Sequence, residues 1–271
     1  MRPLALAALV RAQPEGPALP AEWLEAALLA AFGPPAPAAT RSWSVGGVQG
    51  SETLVQSRPV VRDPGVRLVH DLLRAPSQCT LAAYAGDLGD GAAAQRFSVS
   101  RFQRWIGVVS EPELPGEDLG VRAALRAALR GRLPGHLTRS CVEGSDRELL
   151  FMAAIAALPP PLALGRAYVD PAELRRALAA VEAIVGPSEH QNLLISDGRT
   201  VAVLHRGGRT FALEAPLPPR LAGPSGPRSR RGALLLLHTP TDPGDLPAGA
   251  EAIDPGIFTI TAREPVHIER D

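Results

Sequence analysis

Lysine is missing from this chain: all 28 residues in its Lys plus Arg total are arginine. The absence removes any lysine nucleophile or Schiff-base chemistry. With alanine, proline and glycine so abundant, it reads as the coding bias of a GC-rich, bacterial genome. Asparagine occurs once, at Asn192. Cysteine occurs twice, at Cys79 and Cys141, too few for a disulfide framework and without metal-ligand spacing. That usage suits a reducing compartment, and a cytoplasmic location is expected. The six histidines show no H-x-x-x-H or H-E-x-x-H spacing, so no metal and no other cofactor is expected. No G-x-S-x-G nucleophile elbow occurs, and the Gly-rich GDLGDG follows neither dinucleotide nor P-loop templates. No apolar run approaches the roughly 20 residues that cross a bilayer. Acidic and basic residues balance at 28 each, which gives no reason to expect nucleic acid or a membrane surface as partner.

What is present reads as one layered domain over 1–271, with a Pro/Ala-rich insertion at about 12–50 and a loop at about 215–232. The opening LALAALV, flanked by Arg2 and Arg11, is short for a signal peptide and has a poor cleavage site at Val10-Arg11-Ala12; a buried strand fits better. Ala21–Phe32 carries helical spacing. Asp63 and Pro64 introduce a short helix to Leu73. Thr80–Ala85 and Trp105–Val109 read as strands. A helix from about Leu119 to Arg130 places Val121, Leu125 and Leu129 on one face and Arg122, Arg126 and Arg130 in a second stripe, expected to be solvated. Ser145-Asp146-Arg147-Glu148 is a capping-box pattern, and Asp170-Pro171 with Glu173 starts a further helix whose apolar face is Leu174, Leu178, Val181 and Val185.

The C-terminal third changes period. NLLIS, the Asp197-Gly198 turn, TVAVLH, Gly207-Gly208 and RTFALE predict an antiparallel meander, followed by strands at Ala233–His238 and Gly256–Thr261. The PRSRRG cluster between them reads as a solvated loop.

Three stretches in this order resemble the class II glutamine amidotransferases, which are N-terminal-nucleophile hydrolases, and most nearly the ergothioneine-pathway γ-glutamyl amidohydrolase branch. EGSDRELLFMAAIAAL is similar to the family's Gly-x-Thr-Asp-Ser-Glu helix start, NLLISDGRTVAVLHR to its Asn-leading strand and Asp-Gly turn, and LHTPTDPGDLPAGAEAIDPGIFTI to its C-terminal run. The resemblance implies an α+β fold, a four-layer α/β/β/α sandwich with two antiparallel sheets. It also implies chemistry in which an N-terminal thiol attacks an amide, its own α-amine relays the proton, and an Asn side chain with a Gly N–H holds the oxyanion.

Carried over position by position, that machinery is depleted. Arg2 stands where the family has its Cys. Gly86 falls where a carboxylate-binding Arg is expected, Gln95-Arg96-Phe97 replaces His-Pro-Phe, and Ser110-Glu111 falls on the oxyanion Asn-Gly. Asp146 matches the Asp that contacts the substrate's amino group; the helix macrodipole would favour an acid there in any case. No catalytic residue is therefore assigned. The resemblance and the losses together predict a catalytically inactive member, acting as a non-catalytic subunit in a hetero-oligomer with an active enzyme, or binding a small amino-acid-like ligand. The alternative is a working amidohydrolase or glutaminase whose nucleophile is Cys79 or Cys141, or lies before a misassigned start.

Overall fold

Alternation decides the layering. In the first strand Ala5, Ala7 and Leu9 face one side and Leu6, Ala8 and Val10 the other, and all six are buried. A strand buried on both faces belongs in the middle of a covered sheet. The computed structural model describes residues 5–12, 19–32, 41–61, 64–85, 99–110, 114–115, 118–141, 144–160, 169–186, 191–215, 232–239, 246–263 and 266–270.

In chain order the elements are β1 (Ala5–Arg11), α1 (Ala21–Phe32), β2 (Arg41–Gln49), β3 (Glu52–Val61), α2 (Pro64–Arg74), β4 (Cys79–Ala85), β5 (Ser100–Phe102) and β6 (Trp105–Val109). Then come α3 (Leu119–Arg132), α4 (Gly135–Ser140), α5 (Asp146–Ala156) and α6 (Pro171–Val185). The last strands are β7 (Leu193–Ser196), β8 (Thr200–His205), β9 (Arg209–Glu214), β10 (Ala233–Thr239), β11 (Glu251–Ile253), β12 (Gly256–Thr261) and β13 (His267–Arg270).

They form two antiparallel sheets, one ordered β11-β9-β10-β1-β4-β2-β3 and the other β13-β12-β8-β7-β6-β5. Three buried apolar slabs give the order of layers. α1 and α2 pack Leu24, Leu28, Leu68 and Leu72 on the outer face of the first sheet. Leu6, Leu81, Val108, Val203 and Phe258 fill the space between the sheets. Leu129, Phe151, Leu174 and Leu178 cover the outer face of the second sheet. The result is the α/β/β/α sandwich that the family resemblance implies. No described helix is long and apolar enough to cross a membrane.

Local chemistry sets the helix starts. Ser145 Oγ accepts from Glu148 N (3.2 Å), and Glu148 Oε2 reaches back to accept from Gly144 N (2.8 Å), one residue earlier than the usual capping-box partner. Asp170 Oδ1 accepts from Ala172 N (2.8 Å) with Pro171 in the first helical turn.

Part of the stretch expected as an insertion, about 12–50, is described. α1 and Trp43 are in the core under the first sheet, and β2 pairs with both β3 and β4 inside that sheet. The loop expected at 215–232 is described only at its two ends, and the PRSRRG cluster lies outside the described residues. In α3, Leu129 is buried but Val121 is half exposed, so the apolar stripe engages only toward the helix's C-terminal end.

Candidate functional site

Strand register gathers polar side chains at one end of the inter-sheet space. Val109 pairs with Leu193, and Leu193 with Leu204, so Ser110, Asn192 and His205 stand in a row just beyond β6, at the start of β7 and at the end of β8. On the facing sheet Leu6 pairs with His238 and His238 with Thr210. The N-terminal end of β1 thus lies beside His238, opposite that row.

Asn192 ties the two sheets together. Its Oδ1 accepts from the backbone N–H groups of Arg206 (3.0 Å) and Gly207 (3.4 Å), which fixes the orientation of the amide. His205 Nδ1–H then donates to the same oxygen (2.9 Å). The amide nitrogen donates to Ser110 Oγ (3.1 Å) and to His238 Nε2 (3.1 Å). Since His238 Nε2 must accept, its proton sits on Nδ1, which donates to Thr210 Oγ1 (3.2 Å). Both amide hydrogens and the carbonyl oxygen of Asn192 are therefore engaged within the protein. Ser110 N donates to Asn192 O (2.9 Å), and Ser110 Oγ accepts from Asn192 N (3.1 Å).

The two imidazoles meet edge to face, with ring centroids 5.9 Å apart. Burial pushes His238 down to about 3, and His205 adds to the effect. Burial also lowers His205; the Ile253 backbone, which favours the charged ring, opposes this, and the Arg206 charge reinforces it. Both rings are neutral at pH 7. Gly208, at φ 70°, packs so closely that a Cβ would lie 2.6 Å from Thr239 O and 2.7 Å from His238 Cε1. Among the described residues, Gly208 is thus pressed directly against the His238 ring.

Asp146 is buried at the first turn of α5, and both of its carboxylate oxygens accept hydrogen bonds. Leu114 N donates to Oδ2 (3.0 Å), while Arg126 Nε and Nη2 donate to Oδ1 (2.5 Å) and Oδ2 (3.0 Å) in a bidentate pair. Arg126 belongs to the stripe expected to be solvated; it is 46% exposed at the side chain, yet anchored at its head. Of the remaining family positions, Arg2, Gly86 and Glu111, with Gln95-Arg96-Phe97, lie outside the described residues.

Cys79 does not reach this end. Cys79 pairs with Val10, at the opposite end of β1 from Leu6, and is completely buried. Burial drives its thiol well above the ordinary range, and Asp197 adds to the rise. Cys141 follows α4 and is partly exposed; burial and Glu148 raise its thiol as well. Both shifts oppose the thiolate that a nucleophile requires. Among the described residues no group of three or more His, Cys, Asp or Glu side chains could hold a metal.

His205, His238 and Thr210 carry the network without having been picked out from the sequence. The available signal was a histidine closing each of two apolar strands, VAVLH and LLLLH, together with the chain's lone asparagine.

No protein-family model matches the chain, and no curated protein matches it in sequence. Solved structures do match. A glutamine aminotransferase class-II domain protein from Silicibacter pomeroyi superimposes with a TM-score of 0.54 at 15% identity over 98% of both chains. The glutamine phosphoribosylpyrophosphate amidotransferase from B. subtilis gives 0.47 at 11% identity, over 98% of this chain and 49% of that one. A predicted glutamine amidotransferase from Pseudomonas aeruginosa gives 0.43 at 12% identity, over 97% and 95%. At these identities the first likeness establishes a shared fold and nothing finer.

Proposed function

We propose that this chain is a non-catalytic relative of the class II glutamine amidotransferases, one that keeps the sandwich and has given up thioester chemistry. Its work is as a subunit beside an active enzyme of small-molecule metabolism, or as a binder of a small amino-acid-like ligand. The observation that carries this reading is the saturation of Asn192. Acyl transfer needs a nucleophile and a donor aimed at the developing oxyanion. The chain's one asparagine has no N–H to spare, Cys79 lies at the opposite end of β1, and both thiols are shifted away from the thiolate. Asp146, the position matching the family's amino-group ligand, spends both oxygens on Arg126 and Leu114. A ligand ammonium group there would have to share the carboxylate with a guanidinium.

Incubation with L-glutamine and with γ-glutamyl amides tests the reading through ammonia release. The expected rate is the uncatalysed background. Turnover abolished by Cys79→Ser or Cys141→Ser would overturn it in favour of a working amidohydrolase. For the partner role, purification from the native host is expected to bring down an enzyme subunit in fixed stoichiometry; recovery of the chain alone would leave only the ligand-binding role.

A further inference from the structure

At the opposite end of the sandwich the two sheets part around a cleft of about 570 Å³. One wall is the β2–β3 turn with residues 73–78, and the other is formed by the β5–β6 and β7–β8 turns. The first wall is braced from beneath. The Arg11 guanidinium donates to the carbonyls of Leu73 (3.4 Å), Ala75 (2.5 Å) and Ser77 (2.7 Å). Ser77 Oγ accepts from Val48 N (3.0 Å) and donates to Cys79 O (2.7 Å). On the second wall Arg104 Nη2 donates to Asp197 O (3.1 Å), joining its two turns. The walls meet where Gly198, at φ 93°, leaves no room for a Cβ, which would lie 2.6 Å from Val48 Cβ.

Among the described residues, three guanidiniums line this cleft, from Arg74, Arg104 and Arg199, against one carboxylate, Asp197. In a chain of zero net charge that is a local excess of positive potential. Arg74 and Arg199 are exposed and make no side-chain hydrogen bond or ion pair among the described residues. Asp197 is 1% exposed. Its Oδ1 accepts from Arg199 N and Thr200 N (2.9 Å each), while its Oδ2 is buried without a hydrogen-bond partner. A buried carboxylate oxygen in that state is costly and calls for a donor.

We infer that this cleft binds a small oxyanion metabolite that also carries a hydroxyl or ammonium donor. Its phosphate or carboxylate is held by Arg74, Arg104 and Arg199, and its donor by Asp197 Oδ2 once that side chain turns its covered oxygen to the cleft. Arginine's planar fork suits such an oxyanion. The braced walls keep the arginine-bearing turns in place before the ligand arrives, which lowers the ordering cost of binding. The site stands on its own residues and does not depend on whether the other end of the sandwich performs chemistry.

Calorimetric titration of the intact protein at low ionic strength tests the inference with three probes: glycerol phosphate (anion and donors), inorganic phosphate (anion alone) and glycerol (donors alone). Glycerol phosphate is expected to saturate one site, inorganic phosphate to bind several-fold more weakly, and glycerol to give no saturable heat. Arg74→Gln and Arg199→Gln remove side chains with no described partner, so folding is preserved, and each is expected to weaken glycerol phosphate about tenfold. Asp197→Asn is expected to abolish the preference for glycerol phosphate over phosphate. Heats no larger than those of sodium chloride at matched ionic strength, or binding indifferent to both arginine substitutions, would overturn the anion site. Equal affinity of the parent protein for the two phosphates would overturn the role of Asp197.

Discussion

The two ends of the inter-sheet space solve the same problem in opposite ways. Near the start of β1, the buried polar groups of Asn192, Ser110, His205, His238 and Thr210 satisfy one another across the two sheets. Near its end, Arg11 and Ser77 are spent on holding a wall, while Asp197 Oδ2 is buried and unpaired beside an open cleft. A closed network rigidifies and specifies a packing; an unsatisfied buried oxygen beside an opening is a place for something else to bind. Fold kinship would direct attention to the first end. The chemistry of the residues directs it to the second.

The sharpest way to break the comparison is at the closed end. Asn192→Ala strands His205, His238 and Ser110 in a buried setting. At about 1–3 kcal/mol for each orphaned group, the unfolding free energy is expected to fall by on the order of 3–5 kcal/mol in urea denaturation. A loss under about 1 kcal/mol would mean that the network is not closed.

Acid attacks the same network without mutation. Both histidines have folded-state values below the ordinary 6.5, His238 at about 3. The unfolded chain therefore takes up protons first as pH falls. The stability that comes from keeping these rings neutral is complete above pH 6.5 and is lost progressively toward pH 3, on the order of 1 kcal/mol per pH unit for each ring while it titrates only in the unfolded state. His238→Gln is expected to flatten that slope in midpoint-against-pH data, whereas a Cys79→Ala change at the far end leaves it unaltered.

Smaller effects follow at the flanks. Arg126→Gln leaves the Asp146 carboxylate buried without its partner; with Arg126 itself 46% exposed, screening holds the expected loss to about 1–2 kcal/mol, read as a lowered melting midpoint. At the open end, Gln103 occupies φ 49° in the β5–β6 turn, a conformation that favours glycine. Gln103→Gly is expected to stabilise the protein by about 0.5–1 kcal/mol, since relief of side-chain strain outweighs the added chain entropy.

Much of the scaffold was legible because its signals are local. Ser145 and Glu148, Asp170 and Pro171, and the Asp197-Gly198 turn mark element boundaries through short-range hydrogen bonds and fixed dihedrals. The β2–β3 hairpin was not legible. RSWSVGGVQ is interrupted by two glycines, which weaken strand propensity, and those glycines are there for packing: a Cβ on Gly46 would lie 2.7 Å from Val99 and one on Gly47 2.9 Å from Ser77. The likeness of Glu143–Leu158 to a family motif pointed to Asp146, but nothing nearby in sequence says that Arg126, 20 residues earlier, holds it. The histidine pair was hidden for the same reason. His205 and His238 meet only through the pairing of two sheets, which no spacing along the chain encodes.

The proposal that this sandwich no longer performs thioester chemistry is tested most directly by intact-mass analysis after treatment with a glutamine-analogue electrophile. The account predicts an unmodified mass under conditions that stoichiometrically alkylate an active amidotransferase. A single adduct, protected by glutamine and mapped to a cysteine of this chain, would contradict it.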